Sequence, residues 1–155
     1  MVRASRLQAL AAMALIGGAA AGCANYPADP AGSLQQATGG ELIVGITEHP
    51  PWTQLDAEQP SGSEVDLLKG YAEGIDAEIR WVTGSESELV GQLAAGDLDL
   101  VIGGFDEGTP WQQAVAPSRP YHRPQEGPGR IVLVEQGENA LLLDLESYFI
   151  QQEAQ

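Results

Sequence analysis

The chain carries a single cysteine among its 155 residues, so no internal disulfide can form. Positive charge is almost as scarce. Only 7 Lys and Arg stand against 22 Asp and Glu, a formal net charge of −15. Such a surface repels phosphates, which excludes nucleic acid as a partner, and it does not seek anionic lipid headgroups. Cations or basic partners are its natural counterparts, and a solvated acidic surface with no specific partner is the plain alternative. The apolar stretch from Leu7 to Ala21 is too short for a membrane-spanning helix. Patterns that carry catalysis are missing as well. His49 and His122 have no candidate nucleophile beside them, and no Ser sits in a strand-to-helix elbow. Gly103-Gly104 lacks the further glycine and the helix start of a dinucleotide site. Neither an enzyme nor a cofactor is expected.

What is present begins with a leader. Residues 1–22 hold Arg3 and Arg6, then an apolar core, and no acid, as in a secretory signal. The cut site Ala20-Ala21-Gly22-Cys23 resembles a bacterial lipobox, whose cysteine is lipidated and becomes the new amino terminus. Ordinary cleavage that leaves Cys23 as a stray thiol is the alternative. The only cysteine of an exported chain standing at the cut favours the lipid. Residues 23–40 are then the lipid anchor followed by a flexible linker rich in Ala, Gly, Pro, Ser and Gln. Residues 41–155 suit one domain with one core.

Within that domain, Leu42 to Ile46 reads as a strand buried on both faces. Residues 63–74 place Val65, Leu67, Leu68, Tyr71 and Ala72 at helical spacing, with Ser63 as the cap and Gly74 as the stop. A second strand follows over 75–82 and a helix over 85–95, ended by Gly96. A third strand runs over 98–102, a short Pro-initiated helix over 110–116, and a Pro/Gly-rich loop over 117–129. Residues 131–134 make a last strand. A helix over 139–151 aims Leu141, Leu142, Leu145, Tyr148 and Phe149 at the sheet. The rhythm predicts an α/β three-layer sandwich on a mostly parallel sheet.

The order Glu41-Leu-Ile-Val-Gly-Ile-Thr47, His49-Pro-Pro-Trp52, Gly62-Ser-Glu-Val-Asp-Leu-Leu68, Gly91 to Gly104 and Pro117-Ser-Arg-Pro-Tyr121 resembles the type 2 periplasmic binding proteins, in particular extracellular solute-binding protein family 3. That resemblance implies a single lobe, the first of the two that close around a ligand, with residues 129–139 as an antiparallel returning strand. With Gln155 ending the chain, binding is expected to use half the clamp. The family places aromatics in the loops after the first and second strands, and hydroxyls and a carboxylate-binding Arg after the third. Carried over by position, the first aromatic falls on His49, with Trp52 next, and the second on Glu86. The hydroxyls fall on Gly103, Gly104 and Asp106, and the Arg on Trp111. Every group that would neutralise an α-carboxylate is absent and acids stand in two of the positions, so a free amino acid should be repelled and amino-acid binding in the family's usual manner is not expected.

Glu48, His49, Trp52, Glu86, Asp106 and Glu107 are therefore the candidate ligand-binding residues, on loops that converge. Their chemistry suits a cationic solute, a polyamine or a divalent ion, although no fixed metal-ligand spacing exists and no metal site is expected. A solvated acidic rim is the competing interpretation, and for Trp111 so is rim packing. The reading is a lipid-anchored solute-binding-like protein of the cell envelope, on the periplasmic or extracellular face, and associated with transport. Its partners would be a small solute, a membrane protein such as a transporter, and the membrane through its lipid. The rival is a protein-interaction or sensory module that has lost its small ligand. The anchor gives the first test. Replacing Cys23 with Ser removes the thioether, so it should release soluble protein or leave an uncleaved precursor. Undiminished labelling by a radioactive fatty acid in that variant would contradict the assignment.

Overall fold

The computed structural model describes residues 29–55 and 59–154; the leader and Cys23 lie outside them. The elements run α1 (Ser33–Ala37), β1 (Glu41–Ile46), β2 (Gln54–Leu55), β3 (Pro60–Ser61), α2 (Ser63–Gly74), β4 (Glu78–Thr83), α3 (Glu86–Ala94) and β5 (Leu100–Ile102). A short 3-10 turn (Pro110–Gln113), β6 (Ala116–Pro117), β7 (Leu133–Val134) and α4 (Asn139–Glu153) complete them. Five strands form one sheet in the order β4-β1-β5-β7-β6. β1 pairs in parallel with β4 and β5, and β7 is antiparallel to both β5 and β6. This is the α/β sandwich expected, with β7 as the returning strand.

Alternation along the strands sorts the side chains into two cores. Leu42, Val44 and Ile46 of β1, Leu100 and Ile102 of β5, and Val132 and Val134 pack against α1, α2 and α4. On the opposite face, Val101, Leu133, Ile131 and Phe105 pack against Leu89, Val90 and Leu93 of α3. β4 and β5 flank β1 on opposite sides, so crossovers of one hand must lay α2 and α3 on opposite faces. The continuous apolar run of β1 follows from this, because both its faces are covered.

Several boundaries differ from the sequence reading for local reasons. Ser63 is the first residue of α2 rather than its cap, and the cap position is Gly62 at φ 117. A Cβ at Gly62 would collide with the Trp52 carbonyl oxygen, which only glycine avoids. Gly74 ends α2, yet the left-handed residue of the turn is Asp76, at φ 56. The second strand begins at Glu78 rather than 75, and the third at Leu100 rather than 98. The expected helix over 110–116 is a single 3-10 turn, followed by the short strand β6, which the sequence reading divided between the end of that helix and the start of the loop.

The linker assignment is corrected over its described part. Residues 33–37 form α1, and Ala37 is fully buried in the first core. Its fastening is polar. The buried Glu138 carboxylate accepts the Ala31 and Ser33 amides at 3.0 and 3.3 Å and the Ser33 hydroxyl at 2.9 Å. No periodicity of apolar residues could reveal a five-residue helix held in this way.

Leu141, Leu145 and Phe149 of α4 are buried to 1% exposure or less. Fully burying each contributes about 2 kcal/mol. A chain ending at Gly137 loses all three, together with the Glu138 clamp on α1. It should aggregate or lose its cooperative thermal transition. Melting like that of the longer chain would contradict the role given to α4.

Candidate functional site

In open α/β sheets a ligand sits beyond the carboxyl ends of the strands where successive connections diverge. Here that point lies between β1 and β5, whose connections leave toward opposite faces. The loop after β1 is stitched to itself and to α2. His49 and Thr53 exchange backbone hydrogen bonds, the Trp52 amide donates to the His49 carbonyl at 2.9 Å, and the Glu64 amide donates to the Trp52 carbonyl at 3.0 Å. Buried Thr53 donates its hydroxyl to the Thr47 carbonyl at 2.6 Å.

The loop after β5 is held by one carboxylate. Glu64 on α2 is fully buried. Its Oε2 accepts the amides of Gly103 and Gly104 at 3.0 and 2.8 Å, and its Oε1 accepts the Tyr121 hydroxyl at 2.6 Å. Gly104 has φ 67, and a Cβ there would stand 2.8 Å from Trp52 Cδ1 and 3.0 Å from His49 Cγ. The two loops thus meet flat against each other, which requires glycine. Burial pushes the Glu64 carboxyl above its ordinary value, opposed by its hydrogen bonds from Tyr121 and the two amides and by nearby His49.

A third strand of chain completes the site. Residues 129–131 lie beside the β5 loop: the Glu107 amide donates to the Gly129 carbonyl at 3.1 Å and the Ile131 amide to the Phe105 carbonyl at 3.0 Å. This places Arg130 in the cleft. Its Nη1 donates to the Gly104 carbonyl at 2.7 Å and lies 3.6 Å from Asp106 Oδ2. Its guanidinium lies 5.0 Å from the centre of the Trp52 ring. Its Nε is buried with no hydrogen-bond partner. Trp52 is braced in turn by the His122 ring at 5.5 Å.

The resulting cleft, about 240 Å³, is lined by His49, Glu86, Gly103, Gly104, Phe105, Asp106, Gly108, Thr109, Pro110 and Arg130. The structure therefore brings His49, Glu86 and Asp106 together, with Trp52 behind Arg130. It does not bring the other two candidates with them. Glu48 is exposed and lies outside the lining. Glu107 also lies outside it; its carboxylate accepts the Gly129 amide at 2.9 Å and faces Arg123 at 3.6 Å. Trp111 packs on the second core and donates its indole N–H to Glu86 at 3.4 Å, so it serves as rim packing. Among the described residues, no three His, Cys, Asp or Glu side chains come close enough to hold a metal ion. Two larger hollows, about 570 and 760 Å³, lie elsewhere: one beside α2 and β4, the other at the amino ends of β1 and β4. Neither gathers the loops of the switch point.

The inference that no group in the cleft could neutralise a carboxylate is corrected by Arg130. It stands outside the motif positions that were compared, and the antiparallel return of the chain brings it in. Glu64 was also passed over, although it sits inside the quoted Gly62 to Leu68 motif. An acid surrounded by the apolar positions of an amphipathic helix was the available signal.

With this geometry in place, the comparisons decide the family. The profile of the bacterial extracellular solute-binding proteins, family 3, matches residues 42–141. The chain belongs to that family. Among solved structures, it is similar to domain 1 of an arginine-binding protein of Thermotoga maritima, in its arginine-bound form, with 24% identity and a TM-score of 0.68 over 76% of this chain and 97% of that one. The Phe57Trp mutant of that domain, at the same identity, gives a TM-score of 0.71 over 78% and 98%. A periplasmic binding protein of Salmonella typhimurium with high arginine specificity gives 14% identity and a TM-score of 0.65 over 74% and 94%. At these identities the structural likeness shows the fold alone. No curated protein matches the chain. The family is one of binding proteins, in keeping with the non-enzymatic reading.

Glu64 yields a test. A folded-state value raised above the unfolded one means that the group's contribution to stability is full below the unfolded value, 4.5, and is lost as pH rises through the folded value. Wild-type stability should therefore carry a component that falls as pH rises from about 4.5. In Glu64→Gln the amide oxygen can still accept both glycine amides while its NH₂ donates to Tyr121, so that component should vanish without loss of fold. Glu64→Ala leaves two buried amides unpaired and should cost about 2–4 kcal/mol. Urea melts across pH would settle both, and an unaltered pH profile in the Gln variant would refute the account.

Proposed function

We propose that this protein is a lipid-anchored, extracytoplasmic solute-binding protein whose lobe captures a small cationic solute and works with a transporter in the adjacent membrane. The cleft carries the reading. At the switch point of the sheet, Glu86 and Asp106 share one small hollow with an imidazole and a single guanidinium, on a chain of strongly negative net charge. A solute bearing positive charge is attracted to such a place, and one that is only negative is opposed. The hollow is smaller than the range of about 300–1,000 Å³ usual for drug-sized ligands, which suits a metabolite held on one face. Two structural relatives support the idea that one lobe suffices, since each is a single domain described in an arginine-bound form.

The anchor rests on Cys23 at a lipobox-like cut and the extracellular setting on the family. Among the described residues no helix is long and apolar enough to cross a membrane. The interaction-module alternative would use Trp52 as a free platform. Trp52 is instead half-buried, with Arg130 over its ring.

Thermal-shift titration tests the reading. Saturating L-arginine should raise the melting temperature by several degrees, as expected for about 2–3 kcal/mol of ligand stabilisation at a hundredfold excess over Kd. L-glutamate at the same concentration should not. A shift with glutamate and none with L-arginine, L-lysine or putrescine would overturn the proposal.

A further inference from the structure

We infer that α1 is a latch worked by a proton: Asp29 and Glu138 share one, and its loss between mild acid and neutrality loosens the segment that leads from Cys23 to β1. Only the consequence for the reach of the lobe rests on the anchor reading of Cys23.

Little else holds α1 in place. A helix of five residues is not stable by itself, and its apolar hold is the fully buried Ala37 with the partly buried Leu34. The rest is Glu138, which is 2% exposed and accepts the Ala31 and Ser33 amides and the Ser33 hydroxyl. Asp29 lies against the same carboxylate, and its Oδ1 is buried with no hydrogen-bond partner. Two ionised carboxylates repel at such a place, whereas one proton between them turns the contact into a charge-assisted hydrogen bond. Glu138 already accepts two amides and a hydroxyl, so it keeps the charge and Asp29 carries the proton. Burial and the neighbouring Glu138 push the Asp29 carboxyl up to about 6, against the pull of the Leu34 amide. Burial also pushes Glu138 up, but the Ala31 amide, Asp29 and Ser33 outweigh it and hold that carboxyl below its ordinary value.

The surroundings add negative charge and no relief. Glu135, after β7, and Asp99, before β5, both act on and feel Glu138, and burial holds both carboxyls above their ordinary values. Beyond Asp99 stand Glu41 of β1 and Arg80 of β4, which pair with each other at 2.8 Å. α1 itself carries no charged residue. A value raised from 3.8 to about 6 makes the Asp29 contribution full below 3.8 and lost as pH rises through about 6. Glu138, being lowered, contributes above its ordinary value of 4.5 and loses that contribution as pH falls through its folded value. The latch therefore holds in mild acid and loosens above about 6. Cys23, the proposed point of attachment, precedes it in the chain and β1 follows it. Opening would add the stretch from Asp29 to Thr38 to the leash, roughly 35 Å at full extension.

Hydrogen exchange on the full chain reads the latch. After correction for the intrinsic pH dependence of exchange, protection of the Ser33, Gln36 and Thr38 amides should fall about tenfold between about pH 5 and about pH 7.5, as expected of one group shifted by about two pH units. In Asp29→Asn the side-chain amide donates to Glu138 at every pH, so this step should vanish. In Glu64→Gln it should remain, which separates the latch from the titration of Glu64. Should the Asn variant fail to fold, Asp29→Ala carries the test, because removing the titrating group must also abolish the step. Flat protection in the wild type, or the same step in a folded Asp29 variant, overturns the latch, whatever fatty-acid labelling shows at Cys23.

Discussion

The fully buried carboxylate of Glu64 ties together three parts of the chain that are distant in sequence. Through Oε2 it gathers the Gly103 and Gly104 amides, and through Oε1 the Tyr121 hydroxyl. A turn of two glycines at the end of a strand has unsatisfied amides and much conformational freedom, and hydrogen bonds to a charge are the strong way to confine both. Once that turn is fixed, Gly104 presents its carbonyl to Arg130 and its bare Cα to Trp52 and His49. Desolvating a carboxylate is expensive, and three donors converging on it offset that cost only in part, so burial still holds the carboxyl above its ordinary value. The burial of Glu64 belongs to the same design as the cleft, because the walls of the cleft are the groups it holds.

The same device recurs across the molecule. Asp99 accepts the Ile43 amide at 2.8 Å, Glu146 the Arg119 amide at 2.6 Å, Glu107 the Gly129 amide at 2.9 Å and Glu138 two amides of the α1 segment. In a chain so short of Lys and Arg, many acids cannot find a cationic side chain. Backbone N–H groups serve instead and join β1, the segment after β6, the segment before β7 and α1 to neighbouring parts of the chain. The strongly negative composition, which from the sequence reads most simply as a solvated rim, is thus partly internal.

Legibility followed the length of the element. β1, α2, α3 and α4 were readable because six to fifteen residues give periodicity room to show. β7, two residues long, was readable within the apolar run 131–134, whereas the two-residue β6 and the five-residue α1 depend on partners far along the chain, and β2 and β3, two residues each, are too short for a period to show. The site divided in the same way. His49, Glu86 and Asp106 follow from knowing which loops leave the carboxyl ends of the strands. Arg130 is separated from Gly104 by 26 positions and enters through pairing with the β5 loop and with His122. Glu107 shows the converse error: its loop is the right one, but its side chain is spent on Gly129.

Replacing the expected Arg with Trp111 has a consequence that the cleft makes intelligible. A guanidinium on the 3-10 turn would stand at the outer wall, near Glu86. With Trp111 there, that wall becomes apolar packing over the second core, and Glu86 is left as an acceptor facing the hollow. The positive group now lies on the inner side, against Trp52 and Gly104, where partial burial strengthens its field.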